Sequence, residues 1–334
     1  MRNIKWLIGL LVVTMLSACQ SDNGIKLGFI YSSPITDRYV READYFKEYA
    51  EKNNVKVYVE HGNGDAAIQY QKAIELFDKG IDGLAIIAVN ANTAAAIVRE
   101  GNERGVKVMA YNRLIKNSDL DFFVSGDNDV LGKITVDEII KVKPSGDAVI
   151  LGGDKYDRNA VELMASIKKY LQPHIESGNI ELKYVTYIED WSGENAAYEL
   201  EQYLSYTGEV PDMIFAGFDG IANSCIEVLE RYGNDKTVYI SGQDATIDGA
   251  KNVLAGKQQM TAFHPLKDAA NKAAEVMIEL VKNERKARQM ANAEVNNGQV
   301  NVPTVKIPSV SITKENIEKV LIDETQFYTR EQIY

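Results

Sequence analysis

The chain has 334 residues and a formal net charge of −11, and 45% of its residues are hydrophobic. This length exceeds one typical domain, so two domains with separate cores are expected. The negative charge makes nucleic acid an unfavourable partner, because an acidic surface repels phosphates. No stretch after residue 18 is long and apolar enough to predict a transmembrane helix, which needs about 20 residues.

The N-terminus has the pattern of an export signal. Two basic residues precede an uncharged, mostly apolar run over residues 6–16, which is too short to span a bilayer. The run ends in Leu16-Ser17-Ala18-Cys19, which resembles the bacterial lipobox, in which the cysteine becomes the lipidated first residue. We therefore predict a lipoprotein signal peptide over 1–18, a lipid on Cys19 and a polar tether over 19–24. The protein is then periplasmic and held to a bacterial membrane through this lipid alone. An ordinary signal peptide that contains a cysteine is the alternative.

The remaining chain alternates short apolar runs with amphipathic stretches, starting with the strand over 26–31 and the helix over 37–53. The first half continues with strands at 55–60, 82–89, 106–111 and 122–125 and helices at 66–79 and 92–104. The second half has strands at 147–152, 181–187, 212–216, 237–241 and 259–263, and helices at 158–171, 194–205, 220–232, 246–255 and 266–284.

The C-terminal part departs from this alternation. Residues 285–300 predict a helix end and a surface turn, 302–311 an extended segment, and 317–321 a short strand or helix. Cys225 lies in a helical pattern and, with Cys19 lipidated, has no partner for an intrachain disulfide, so a buried, inert thiol is expected. The alternation as a whole predicts an α/β protein with two doubly wound lobes of parallel strands.

In doubly wound sheets, ligands bind beyond the carboxyl ends of the strands. The residues that follow the predicted strands are rich in carboxylates, amides, arginines and aromatic rings, including Asn112, Arg113, Asp157, Asn159, Trp191, Phe218, Asp244 and His264. Such groups suit a sugar, since each hydroxyl both donates and accepts and the C–H face of the ring stacks on an aromatic side chain. Asp127, Asn128 and Asp219 either contribute to such a site or cap helices.

Several segments, in order and with similar spacing over about residues 25–325, resemble the xylose-binding members of the type 1 periplasmic sugar-binding family. They are Lys26–Phe29, Val108–Ile115, Ser125–Asn128, Trp191–Ala196, Ile240–Ala245, Met260–Pro265 and Asn296–Pro303. The resemblance implies two lobes joined by three crossovers, near 128, 261 and 300. One lobe would comprise 25–128 with 261–300 and the other 129–260 with 301–334, and the ligand would be enclosed between them.

The resemblance also implies a set of sugar contacts. Six residues match the family's sugar-contacting types: Arg38, Arg113, Asp157, Asn159, Trp191 and Asp244. Four positions depart, with Tyr39 in place of a Trp, Asn112 of an Asp, Phe218 of an Asn and His264 of a Lys. The arginines would donate to hydroxyls from one lobe, while Asp157, Asn159 and Asp244 bind from the other and Trp191 and Phe218 stack on the ring. His264 would contact the ligand, respond to closure of the lobes, or have a structural role.

Three other functions are alternatives to sugar binding. The first strand is followed by Tyr31-Ser32-Ser33-Pro34-Ile35-Thr36, without the glycines of a nucleotide-binding turn, and the three histidines show no metal spacing. No catalysis, cofactor or metal is therefore expected. The export signal excludes a DNA-binding repressor with the same lobes. Delivery of a monosaccharide or polyol to an ABC permease is the preferred function, with presentation to a membrane kinase or chemoreceptor as the alternative, in both cases by a monomer.

Overall fold

The computed structural model describes residues 24–35, 37–233 and 235–334. The signal peptide, Cys19 and most of the tether lie outside these residues. The described chain divides into two compact units, one comprising the residues up to Phe123 with Ala270–Thr304, and the other Val124–Ala269 with Val305–Tyr334. The chain thus passes between the units after Phe123, Ala269 and Thr304. The crossovers that the resemblance implies are near 128, 261 and 300.

Unit 1 is built on a seven-stranded sheet. Its strands are β1 (Lys26–Tyr31), β2 (Lys56–His61), β3 (Gly83–Ile86), β4 (Lys107–Tyr111), β5 (Phe122–Gly126), β11 (Ala293–Asn296) and β12 (Asn301–Ile307), in the order β11-β12-β5-β4-β3-β1-β2. Strands β2, β1, β3 and β4 are parallel, whereas β11 pairs antiparallel with β12. The helices are α1 (Asp37–Lys52), α2 (Ala66–Asp78) and α3 (Ala95–Glu103), with α9 (Leu266–Lys282) entering from unit 2 and α10 (Glu284–Gln289) following it.

The strands of unit 2 are β6 (Gly146–Gly152), β7 (Ile180–Tyr187), β8 (Met213–Ala216), β9 (Tyr239–Ile240), β10 (Thr261–Phe263) and β13 (Val310–Ile312). They form a four-stranded parallel sheet in the order β7-β6-β8-β9 and a two-stranded antiparallel ribbon of β10 and β13. The helices are α4 (Asn128–Val142), α5 (Arg158–Glu176), α6 (Gly193–Thr207), α7 (Asp219–Tyr232), α8 (Ile247–Ala255) and α11 (Arg330–Ile333), with a 3₁₀ turn at Glu189–Trp191 and a π-helical turn at Glu318–Glu324.

Alternation along the strands gives each sheet two buried faces, because successive side chains point to opposite sides. In β6, Val149 and Leu151 pack in one apolar cluster with α6 and α7. Ala148 and Ile150 pack in a second cluster with α4 and α5. In unit 1, Ile30 packs towards α2 and α3, while Phe29 contacts Phe46 of α1 at 4.9 Å between ring centroids. Both sheets are therefore covered by helices on both faces, as continuous apolar strands predict.

The expected run of alternating elements is present. Two segments differ from the sequence prediction: Asn128–Val142 forms helix α4, where no element was predicted, and the C-terminal segment 285–300 holds more regular structure than expected. Residues 285–300 contain α10 and strand β11 rather than a helix end and a turn alone. The polar segment Ala293–Asn296 becomes a strand because it pairs with β12, from Asn296 opposite Asn301 to Ala293 opposite Thr304. Within the described residues, no helix is long and apolar enough to cross a bilayer.

Candidate functional site

The parallel sheets bring the predicted binding residues to their carboxyl edges. In unit 1, Asn112 and Arg113 follow β4, and Arg38 and Tyr39 lie in the first turn of α1, which follows β1. In unit 2, the predicted residues follow all four strands of the main sheet: Trp191 after β7, Asp157 and Asn159 after β6, Phe218 after β8, and Asp244 after β9. Each unit thus carries one group of these residues, called here half-site 1 (Arg38, Tyr39, Asn112, Arg113) and half-site 2 (Asp157, Asn159, Trp191, Phe218, Asp244, His264).

Half-site 1 is supported by a buried carboxylate. Arg38 Nε and Nη2 each lie 3.4 Å from Glu42 Oε1, one helical turn further along α1, and the Tyr111 hydroxyl donates to the same oxygen at 3.0 Å. The Glu42 side chain is 1% exposed, whereas that of Arg38 is 31% exposed. Burial, together with the Glu42 charge, raises the pKa of Tyr111 well above its usual value. Glu42 therefore holds Arg38, whose side chain remains partly exposed.

Arg113 and Tyr39 form the second contact of half-site 1. The guanidinium carbon of Arg113 lies 5.9 Å from the centroid of the Tyr39 ring, within the range of a cation–π interaction. Between Arg113 and β4, Asn112 has φ 61°, a left-handed conformation that asparagine tolerates better than most residues. The arrangement supplies two guanidinium groups, and guanidinium donors form strong hydrogen bonds to oxygen acceptors.

Half-site 2 contains an aromatic pair. The rings of Trp191 and Phe218 are in edge contact, with centroids 6.4 Å apart and planes at 83°. The Trp191 indole lies against the backbone of Gly153, where a Cβ would approach a ring carbon to 2.2 Å. Glycine is therefore required at 153 for Trp191 to occupy this place at the edge of the sheet. Both rings are half-buried, so they offer apolar surface next to polar groups.

Asp157 and Asn159 form a separate cluster at the start of α5. Asp157 caps this helix by accepting from the Asn159 N–H at 2.8 Å, and Asn159 Oδ1 accepts from Asn128 Nδ2 at 3.1 Å. Asn128 Nδ2 also donates to Glu162 Oε2 at 2.9 Å. One oxygen of each predicted residue is thus engaged within the protein, and the Asn159 amide nitrogen and the second Asp157 oxygen have no hydrogen-bond partner among the described residues.

Asp244 and His264 are in direct contact. His264 Nε2 lies 3.2 Å from Asp244 Oδ1, and the other ring nitrogen, Nδ1, lies 2.9 Å from Ser309 Oγ. The Asp244 side chain is 35% exposed, so it is partly accessible to solvent. Because Ser309 can either donate to Nδ1 or accept from it, it fixes the plane of the ring in either protonation state. His264 therefore belongs to half-site 2 through Asp244.

Sequence reasoning missed the supporting roles of Glu42, Ser309 and Asp219. Asp219 is the first residue of α7 and has 0% exposure, and its carboxylate accepts hydrogen bonds from Gln258, Thr246 and Thr261. Burial raises the pKa of Asp219 to about 7, and the negative charge of Asp244 adds to the shift. By contrast, Asp127 caps α4 by accepting from the N–H groups of Asp129 and Val130. For Asp219, the position next to the end of β8 was the only signal in the sequence.

Within the described part of the chain, no group of three or more His, Cys, Asp or Glu side chains is arranged to hold a metal ion. The half-sites instead combine hydrogen-bonding groups of both charges with aromatic surface. This combination matches the chemistry of a neutral, hydroxyl-rich molecule.

Comparison with known proteins identifies the family of this chain. The family profile described as periplasmic binding protein domain matches residues 28–285. The chain belongs to the periplasmic binding protein family. It is similar to the D-xylose-binding periplasmic protein of Haemophilus influenzae, at 36% identity over 98% of this chain and 97% of the relative. The protein of the same name from Escherichia coli is 33% identical over 77% of this chain and 78% of its own length.

A solved structure confirms the type 1 fold of a periplasmic binding protein. An ABC transporter solute-binding protein from Clostridium phytofermentans with bound β-D-glucose superposes with a TM-score of 0.80, at 21% identity, over 92% of this chain and all of that one. Members of the family are transport receptors and not enzymes, which confirms the expectation that this chain catalyses no reaction.

Proposed function

We propose that this periplasmic binding protein binds a small sugar or polyol, xylose or a related monosaccharide, and delivers it to an ABC permease. The observation that carries the proposal is the combination, in half-site 2, of the Trp191–Phe218 ring pair with the accessible Asp244 carboxylate. Stacking on an aromatic face and bidentate acceptance from neighbouring hydroxyls are the two interactions that a sugar ring requires. The 36% identity to a D-xylose-binding protein over nearly the whole chain supports this ligand class.

In this proposal the two half-sites have different tasks. Arg38 and Arg113 donate to hydroxyl oxygens, whereas Asp244, Asp157 and Asn159 accept from or donate to the remaining hydroxyls. A ligand that binds one conformation of the protein more tightly than any other shifts the population towards that conformation. The permease then distinguishes loaded from empty protein by this shift, with no chemical step.

We further propose that the specificity has moved away from xylose. The four departures from the xylose-binding pattern remove a carboxylate, an amide and an ammonium, and each lost hydroxyl partner changes affinity by about 1–3 kcal/mol. Three of the departing residues make protein contacts: Tyr39 with Arg113, Phe218 with Trp191 and His264 with Asp244. A sub-micromolar dissociation constant for xylose, with related sugars much weaker, would contradict this part of the proposal.

Attachment through a lipid on Cys19 is proposed from the sequence Leu16-Ser17-Ala18-Cys19. The test is fractionation of cells that express the wild type or Cys19→Ser. We expect the wild type in the membrane fraction with a mass shifted by acyl chains, and the variant without that shift. A wild type that is processed but carries no acyl chain would indicate an ordinary signal peptide.

The ligand class is tested by a thermal-shift screen of residues 20–334 against pentoses, hexoses, inositols and sugar alcohols. A ligand at 100 times its dissociation constant is expected to raise the free energy of unfolding by about 2.7 kcal/mol, which is readily detected. One clear hit supports the proposal and identifies the sugar. A panel without any hit would overturn it.

A further inference from the structure

Asp219 is a fully buried carboxylate that the binding proposal has not used. It directly follows Phe218 of half-site 2 and has 0% exposure. Its hydrogen-bond donors among the described residues are neutral: Gln258 Nε2 at 2.9 Å, Thr261 Oγ1 at 3.0 Å, and the backbone nitrogen and hydroxyl of Thr246 at 2.8 and 3.2 Å. Burying a carboxylate costs free energy, so we ask what this cluster contributes to the protein in return.

The contacts of Asp219 converge on the turn Gln243–Thr246, which carries Asp244. The Asp219 N–H donates to the Gln243 carbonyl at 3.1 Å, at one end of the turn. Its Oδ2 accepts from the Thr246 N–H at the other end. One residue therefore holds both ends of the turn that presents the ligand-binding carboxylate.

The turn needs such support because its backbone is strained. Asp244 has φ 83° and Ala245 φ 44°, and non-glycine residues are disfavoured in this left-handed region, so the surrounding structure must hold them there. Thr261 links the strained residues to Asp219, since its hydroxyl donates to Asp219 Oδ2 and accepts from the Ala245 N–H at 3.1 Å. Ala245 is fully buried, so this hydroxyl keeps its N–H from being left unsatisfied.

The neighbouring side chains are adapted to this carboxylate. A Cβ at Gly249 in the first turn of α8 would lie 2.1 Å from Asp219 Oδ2, so only glycine fits there. Gln258 directs its amide nitrogen to both Asp219 Oδ1 and the Met260 carbonyl, each at 2.9 Å. Its buried Oε1 is left without a hydrogen-bond partner among the described residues. Gln258 thus orients its amide to donate to Asp219, although its Oε1 then lacks a hydrogen bond within the described residues.

We infer that Asp219 is a positioning residue of the ligand site: through Thr246 and Thr261 it fixes the strained turn Gln243–Thr246, so that Asp244 presents its carboxylate to the ligand. The inference rests on the proposed function, because it assigns Asp219 a part in sugar affinity. It predicts that the hydroxyl of Thr261, a fully buried residue, controls affinity at a distance.

The test compares Thr261→Val, Thr261→Ser and a matched control, Thr135→Val, by isothermal titration calorimetry of the purified protein with the sugar found in the screen. Thr135 is also a buried threonine of unit 2, but its hydroxyl donates to the Leu131 carbonyl within α4. Removing the Thr261 hydroxyl is expected to weaken sugar binding at least about fivefold, the effect of one buried hydrogen bond. Thr261→Ser should bind within about twofold of the wild type, since it retains that bond.

Thermal unfolding of each variant separates positioning from general destabilisation. The expected result is an unchanged sugar affinity in Thr135→Val, even where its melting temperature falls as far as that of Thr261→Val. Equal affinities of Thr261→Val and wild type, or equal losses in Thr261→Val and Thr135→Val, would overturn the positioning role alone. If Thr261→Val does not fold, Asp219→Asn replaces it in the same comparison, and wild-type affinity in that variant overturns the role. A wild type that binds no sugar of the panel overturns both this inference and the proposed function.

Discussion

His264 Nε2 lies 3.2 Å from Asp244 Oδ1, so one of the four residues that depart from the xylose-binding pattern is paired with a carboxylate that matches it. An imidazole reaches this carboxylate and Ser309 at the same time, but it provides fewer donors than an ammonium group. The pair explains how a histidine is accommodated at this position and why the ligand preference is expected to change.

The first prediction concerns His264→Lys. The ammonium of lysine restores the group that the xylose-binding pattern has here, so we expect the affinity for D-xylose to rise about tenfold, the gain of one charge-assisted hydrogen bond. Calorimetric titration with xylose measures it. His174→Lys, on α5, is the control for an added positive charge. Equal effects of the two substitutions would show that His264 has no specific part in ligand choice.

Trp191 provides an optical readout of the site. Trp6 lies within the predicted signal peptide, so Trp191 is the only tryptophan of the processed chain. We expect its fluorescence emission to change on addition of the ligand, because a sugar ring stacked on the indole removes water from it. Trp191→Phe should lose this signal and bind about tenfold more weakly by calorimetry, within the range reported for aromatic contacts. Emission that stays constant while calorimetry detects binding would place the ligand elsewhere.

Asp219 predicts a pH dependence of stability. Its pKa is raised by burial to about 7, whereas an unfolded aspartate titrates near its usual value, so between about pH 4 and 7 the folded state holds the extra proton. Stability from this group therefore falls as the pH rises through that window and levels off above it. Asp219→Asn removes the titration. The measurement is urea unfolding of both proteins from pH 4 to 8.

The difference between the two unfolding free energies isolates Asp219 from the other carboxylates. Asp129, Asp212 and Glu284 have lowered pKa values and act in the opposite direction, but they contribute equally to both proteins. The wild type should lose stability relative to the variant as the pH rises from 4 to 7. A difference that stays constant over this range would contradict the assignment of the raised pKa to Asp219.

Cys225 is predicted to be inert in the folded protein. It is fully buried, and burial raises the pKa of its thiol to about 12, so neither access nor the thiolate form favours reaction. In Cys19→Ser, which leaves one thiol, labelling by a maleimide should proceed only as fast as the protein unfolds. Complete labelling within minutes under native conditions would show that the α7 region opens locally.

Much of the fold could be predicted from the sequence, because apolar strands such as Leu27–Ile30 and amphipathic helices such as α1 carry their own periodicity. Strand β11 could not, since Glu294 and Asn296 are exposed and its strand character comes from pairing with β12. The candidate site was likewise predictable only in part. Residues next to strand ends were identifiable, but the role of Asp219 depends on Gln258 and Thr261, which lie 39 and 42 residues away in the chain.

The most direct test of the central claim is calorimetric titration of the sugar identified in the screen into wild type, Arg113→Ala and Asp244→Ala. The controls Arg104→Ala and Asp147→Ala remove the same charges near the amino ends of β4 and β6, away from the half-sites. The account predicts that Arg113→Ala and Asp244→Ala each weaken binding at least about tenfold, as loss of a charged hydrogen-bond partner should, while the controls bind as the wild type does. Wild-type affinity in both Arg113→Ala and Asp244→Ala would contradict it.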